Sequence, residues 1–205
     1  MKCLYCDSEI EKINLKYLLL EDDCLCPECR EKLKIERKYI VLDRLKIETF
    51  YNYDGIFKNL LLQYKECYDE ALAKVFLYPL RDYINLKYHG YKVVFVPSSE
   101  EKIKNRGFNH LELIFNNLRL EHIDGLKMKE NLIQEGKKLI ERKKMENNYI
   151  YEGKKVKKVL IVDDVLTSGS SIKGVYKAIK PYSQKIMAVV LARKETAFIS
   201  KNKCV

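Results

Sequence analysis

Apolar residues fall along this chain in two rhythms. Unbroken runs such as "KVVFV" at 92–96, "KKVLIVDD" at 157–164 and "KIMAVVLARK" at 185–194 suit strands buried on both faces, as in a parallel sheet. Between them apolar positions recur every three or four residues. Ile56, Leu60 and Leu61 share one helical face, and Leu72, Val75, Phe76, Leu80 and Ile84 share the next, where Pro79 predicts a kink. "LELIFNNLRL" and "SIKGVYKAIKP" predict two more helices, and "KIETFYNYDG" a strand ended by a turn at Asp54 and Gly55. The tyrosines at helical spacing read as half-buried core rather than as platforms for bases. Residues 31–44 alternate poorly and predict a short helix or connector. Residues 126–155 are charged and weakly periodic, which predicts a mobile loop or short excursion. Strand and helix in alternation predict an α/β fold, an open parallel sheet with helices on both faces and its ligand at the carboxyl ends of the strands.

Cysteine changes this picture at the front of the chain. Five of the seven cysteines lie in the first 29 residues. Cys3 and Cys6 form one Cys-x-x-Cys turn, Cys26 and Cys29 a second, nineteen residues apart. Two such turns can aim four thiolates at one zinc ion and close a structural site with no open position. Cys24 is a spare that breaks the two-residue spacing. A redox pair or unligated cysteines fit the spacing less well. The odd count and the bunching argue against a disulfide framework. The expected organisation is a zinc-binding module and connector over residues 1–44, then the sheet domain over 45–205.

Charge adds a partner class. The formal net charge is +10 over 205 residues, which favours polyanions. Lysine and arginine crowd residues 137–158, where Arg142, Lys143, Lys144, Lys154 and Lys155 are candidate contacts to a nucleic-acid backbone. No apolar run is long enough for a membrane span, and the start lacks the apolar centre of a signal peptide. A cytoplasmic location is expected.

The candidate chemistry lies at 159–171, "VLIVDDVLTSGSS". Asp163 and Asp164 should repel an anion, yet Thr167, Ser168, Gly169, Ser170 and Ser171 read as a cradle for one. A receiver domain places such acids near its beginning, with far more chain after them. A Walker B strand requires a phosphate loop upstream, and none is present. An acidic turn capping a helix explains one serine but not tandem carboxylates. Carboxylates accept hydrogen bonds from a ribose diol, while a hydroxyl-rich turn at a helix start donates N–H groups to a phosphate. A ribose 5-phosphate carries both.

At these residues the chain resembles the type I phosphoribosyltransferases. With "RGFNH" at 106–110, the four cysteines and "YDGIFKNLLLQYK" at 53–65, it resembles more narrowly the ComF family of competence proteins, from Cys3 to about Arg193. The resemblance implies a phosphoribosyltransferase-like domain behind a zinc module. It implies a pocket for phosphoribosyl pyrophosphate (PRPP) with Mg²⁺: Asp163 and Asp164 on the ribose hydroxyls, residues 168–171 on the 5′-phosphate, the turn from Pro97 through Ser98 and Ser99 towards the pyrophosphate, and Arg106 and Arg142 as pyrophosphate partners. It implies a role in DNA uptake and natural transformation, with single-stranded DNA, a helicase-like partner and DNA-processing proteins. The alternative is an active phosphoribosyltransferase of nucleotide salvage or modification. His110 stands where the family usually has Gln, and Thr167-Ser168-Gly169-Ser170-Ser171 where it has Thr-Thr-Gly-Ala-Thr.

Overall fold

The computed structural model describes residues 1–10, 23–128 and 148–195. A short helix α1 (Pro27–Lys32) begins at the second cysteine turn, with Pro27 in its first position, where a missing N–H costs nothing. An antiparallel hairpin follows, β1 (Lys38–Leu42) and β2 (Leu45–Asn52). Its turn, Asp43 and Arg44, lies where the boundary between module and sheet domain was expected. Helix α2 (Gly55–Glu66) comes next. The single kinked helix expected after it is instead a 3₁₀ turn (Glu70–Leu72), α3 (Ala73–Leu77) and α4 (Arg81–Lys87). Pro79 lies between the last two, because it has no N–H to donate to the preceding turn.

Strand β3 (Lys92–Phe95) leads into α5 (Glu100–Arg106) and α6 (His110–Phe115). Gly107 ends α5 with φ of 81°, and the Asn109 side chain caps α6 by accepting from the Glu112 N–H at 3.5 Å. The excursion expected at 126–155 starts and ends in a small antiparallel pair, β4 (Leu126–Met128) with β5 (Tyr149–Tyr151). Then come the long strand β6 (Val156–Leu166), α7 (Ser170–Ile179), a 3₁₀ turn (Lys180–Tyr182) and β7 (Ser183–Arg193).

The main sheet has the order β1-β2-β7-β6-β3, parallel except for β1. This is the mixed α/β architecture with a mostly parallel sheet that the rhythm of the chain predicts. Its two central strands are buried as unbroken apolar runs require: Val159 through Val162 and Ala188 through Ala192 are all fully inaccessible. Each such Val, Leu or Ile contributes about 1.5–3 kcal/mol over its exposed state. The β3 partnership stops at Phe95 opposite Val162, with one further bond from the Val96 N–H to the Val162 carbonyl at 3.1 Å. Pro97 takes the chain away, while β6 runs on beside β7 to Leu166. Beyond Val162 β6 therefore has no strand partner on its β3 side, and Asp163 and Asp164 are the first residues past that point.

Candidate functional site

Successive side chains of a strand leave opposite faces of its sheet, so Asp163 and Asp164 cannot share one environment. Asp164 is buried and points towards α2 and α6. Lys65, in the last turn of α2, forms an ion pair with its carboxylate, and His110 Nε2 lies 2.8 Å from Oδ2. Burial pushes the Asp164 carboxyl up, but Lys65 and then His110 outweigh it and hold the group well below the usual carboxylate range. Asp163 is half-buried and uses one oxygen to accept the Asp164 N–H at 2.9 Å. Burial and the neighbouring Asp164 charge push its carboxyl up.

His110 organises the other side of this centre. Burial, with Lys65 and Arg106 nearby, holds its pKa below the ordinary value despite Asp164, so the ring is neutral at pH 7. A carboxylate at Nε2 fixes the proton there, and Nδ1 is left to accept. Arg106 Nη1 and Ser98 Oγ each lie 3.5 Å from Nδ1. His110 thus donates through Nε2 to Asp164 and turns Nδ1 to Arg106 and Ser98. Ser99 precedes α5 as its N-cap without a side-chain bond.

The hydroxyl-rich loop closes the site. Gly169 adopts φ of 74°, and a Cβ there would lie 2.5 Å from Leu42 Cδ2, so the turn suits glycine for two reasons. Ser168 Oγ is 3.0 Å from Ser170 Oγ, and Thr167 is exposed beside them. Burial, with the Asp163 charge nearby, pushes the Tyr149 hydroxyl up, and β5 packs against α7.

Of the residues anticipated from sequence, Asp164, Arg106 and Ser98 meet around His110, while Ser168 and Ser170 meet in the loop. Arg142, Lys143 and Lys144 lie outside the described residues. Lys154 and Lys155 are exposed just before β6. Sequence reading passed over Lys65 and Tyr149, whose roles depend on partners distant in the chain. Both stood within or beside quoted segments without a distinguishing pattern.

The sulfur atoms of Cys3, Cys6, Cys26 and Cys29 lie within 4.8 Å of one another, Cys6 and Cys26 at 3.7 Å. A tetrahedron of thiolates about 2.3 Å from zinc has edges of about 3.8 Å, so the set fits that ion. Cys24 stands outside it. Hydrogen bonds from Ser8 pull the exposed Cys6 thiol down to about 6, in the direction of the thiolate a metal needs. The module rests on α2, which carries Lys65, and on α3: Asn59 donates to the Tyr5 hydroxyl at 3.2 Å, Gln63 to the Leu4 carbonyl at 3.5 Å, and Arg30 to the Val75 carbonyl at 3.1 Å.

The family model "Phosphoribosyl transferase domain" matches residues 127–205, which include the acids, the loop, α7 and β7. The competence protein ComFC of Streptococcus pneumoniae (strain ATCC BAA-255 / R6) is 27% identical over 212 residues, 90% of this chain and 96% of that protein. The chain is ComFC-like. The likeness covers nine tenths of this chain and nearly the whole of that protein. A hypoxanthine phosphoribosyltransferase from Staphylococcus aureus aligns at 16% identity and a TM-score of 0.36 over 62% of this chain and 66% of that one, just under two thirds of the enzyme. Among the described residues no helix is long and apolar enough to cross a membrane.

Proposed function

We propose that this ComFC-like chain is a competence protein that acts in DNA uptake, holds a ribose-phosphate ligand of the PRPP type, and contacts single-stranded DNA. The observation that carries the pocket is the division of labour between the two acids. Lys65 already neutralises the Asp164 charge and the neutral His110 adds a hydrogen bond to it, so a phosphorylated ligand does not meet two unpaired carboxylates. Asp163, half-buried where β6 has outrun β3, accepts hydrogen bonds from the ribose diol. The loop from Thr167 to Ser171, leading into α7, offers N–H and hydroxyl donors to the 5′-phosphate. Asp164 holds Lys65 and His110 in place, while Arg106, Ser98 and Ser99 lie on the side where a pyrophosphate would extend. Mg²⁺ would come bound to that pyrophosphate, since Mg²⁺ is usually shared between a carboxylate and substrate phosphates, and would supply charge neutralisation there.

The exposed lysines near the start of β6, with Arg142, Lys143 and Lys144, support the DNA contact through charge. A helicase-like partner and DNA-processing proteins belong to the same reading. Calorimetric titration with PRPP and Mg²⁺ tests the pocket. Binding should weaken at least about tenfold in Asp163→Asn, the loss of a charge-assisted bond pair; unchanged affinity would sink the assignment. Pyrophosphate release from PRPP across a panel of amines and bases separates a binding protein, which releases none, from the alternative, an active phosphoribosyltransferase.

A further inference from the structure

The edge of the sheet opposite the acids carries a second feature. Where β2 and β7 begin, a groove of about 660 Å³ is lined by Arg44, Lys46, Lys180 and Lys185 and walled by Tyr91 and Tyr176. A further recess of about 570 Å³ shares Ser183 and Gln184 with it and continues past Tyr182 to Lys155 and Lys157. Among the described residues no Asp or Glu lines either part. Arg44, Lys46, Lys155, Lys157, Lys180 and Lys185 are exposed. None of them makes an ion pair among the described residues. Lys87 also lines the groove, but its charge is held by the buried Glu48 at 2.8 Å, and Tyr88 donates to the same carboxylate at 2.6 Å. Those two form the floor, and the other cations are left to a ligand.

Unopposed cations alternating with aromatic rings in a recess suit a particular chemistry. Phosphodiesters are drawn to the rim, and unstacked bases lie against the rings. A duplex keeps its bases inside a convex cylinder and offers nothing to tyrosines set within a groove. Lys158 and Lys185 stand over the Tyr91 ring at 5.6 and 5.9 Å, and Lys180 over the half-buried Tyr176 ring at 5.8 Å, so each ring has cations at its face that a phosphodiester can draw off as a base takes their place. Tyr182 packs edge-on against Tyr151.

We propose that this groove, along the edge where the parallel strands begin, is the track for single-stranded nucleic acid. The proposal rests on the single-strand reading above and moves its main contacts away from residues 142–144. From Lys157 to Asp163 is six strand residues, about 20 Å, so the strand and the ribose-phosphate ligand occupy separate places.

The test uses the full chain and a fluorescent oligothymidylate of about 20 nucleotides, followed by anisotropy over a range of salt. The combined variant Lys46→Ala/Lys180→Ala/Lys185→Ala should lower the slope of log affinity against log salt by about 2, as three lost phosphate contacts on a single strand imply. Tyr176→Leu, which keeps the apolar packing, should weaken binding at least about fivefold at one salt concentration. Asp163→Asn should leave the oligonucleotide affinity unchanged. Melting temperatures near that of the parent establish that the variants are folded.

A parent chain that binds no oligonucleotide overturns both the DNA reading and the groove. A parent that binds, with the triple variant and Tyr176→Leu binding equally well, overturns the groove alone. Equal competition by a duplex of the same length, or by polyglutamate of similar charge, shows a surface that selects charge only and overturns the single-strand assignment.

Discussion

At Asp163 and Asp164, neighbouring positions of one strand send identical side chains into opposite electrostatic surroundings. The raised Asp163 carboxyl means that the folded chain binds its proton more readily than the unfolded chain. That group's contribution to stability therefore falls as pH rises from the ordinary carboxylate range towards the raised folded value, and the penalty is fully present above it. Asp163→Asn should accordingly raise the melting temperature of the ligand-free protein at neutral pH by about 2–4 °C, while weakening PRPP binding. A melting temperature that falls at neutral pH contradicts the sign. Asp164 behaves oppositely: its depressed carboxyl stabilises above the ordinary range, and that stability is lost as pH falls through the folded value. For His110, held below its usual pKa, stability is lost as pH drops from the ordinary imidazole value towards the folded one. His110→Gln restores an N–H donor for Asp164 and should change stability by less than about 1 kcal/mol. His110→Leu removes the donor from a buried carboxylate and should cost about 2 kcal/mol or more by chemical denaturation. The acids and hydroxyls of this centre are legible in the sequence because they are contiguous. Lys65 is not, since a lysine at the end of an amphipathic helix looks like any solvated lysine until folding brings Asp164 to it.

Among the elements, the turn between β6 and α7 is where local geometry is least forgiving. Gly169→Ala must hold a left-handed backbone, costing about 1–2 kcal/mol, and must also displace Leu42. In a double-mutant cycle, Leu42→Ala should recover the steric part of that loss and leave the backbone part; full additivity would show that Leu42 does not press on the turn. Strand β1 escaped the sequence reading for a physical reason. As the edge strand it leaves Tyr39 and Val41 exposed, at 57% and 67%, so its apolar residues do not alternate with the sheet's faces. The central strands were legible because burial on both faces demands unbroken apolar runs. Helix α5 was not, because seven mostly charged residues between two serines and a glycine carry no apolar stripe.

Over the whole molecule, the cysteine module and the sheet domain meet at α2. One side of that helix takes hydrogen bonds to Leu4 and Tyr5, and its last turn gives Lys65 to Asp164. Removing the metal with a chelator should loosen the module, lower the melting temperature and weaken PRPP binding several-fold without abolishing it, because the loop and Asp163 do not touch the cysteines. Undiminished affinity in the metal-free chain would show that α2 holds its place unaided. Energetic coupling between two sites has no preferred direction. Whatever factor metal loss costs in ligand affinity, ligand must return as tighter affinity for the ion. The share of zinc that a chromogenic chelator holds at equilibrium should therefore fall in the presence of PRPP and Mg²⁺. A cell low in zinc would then draw the metal first from copies with an empty pocket, and occupancy would decide which molecules survive the shortage.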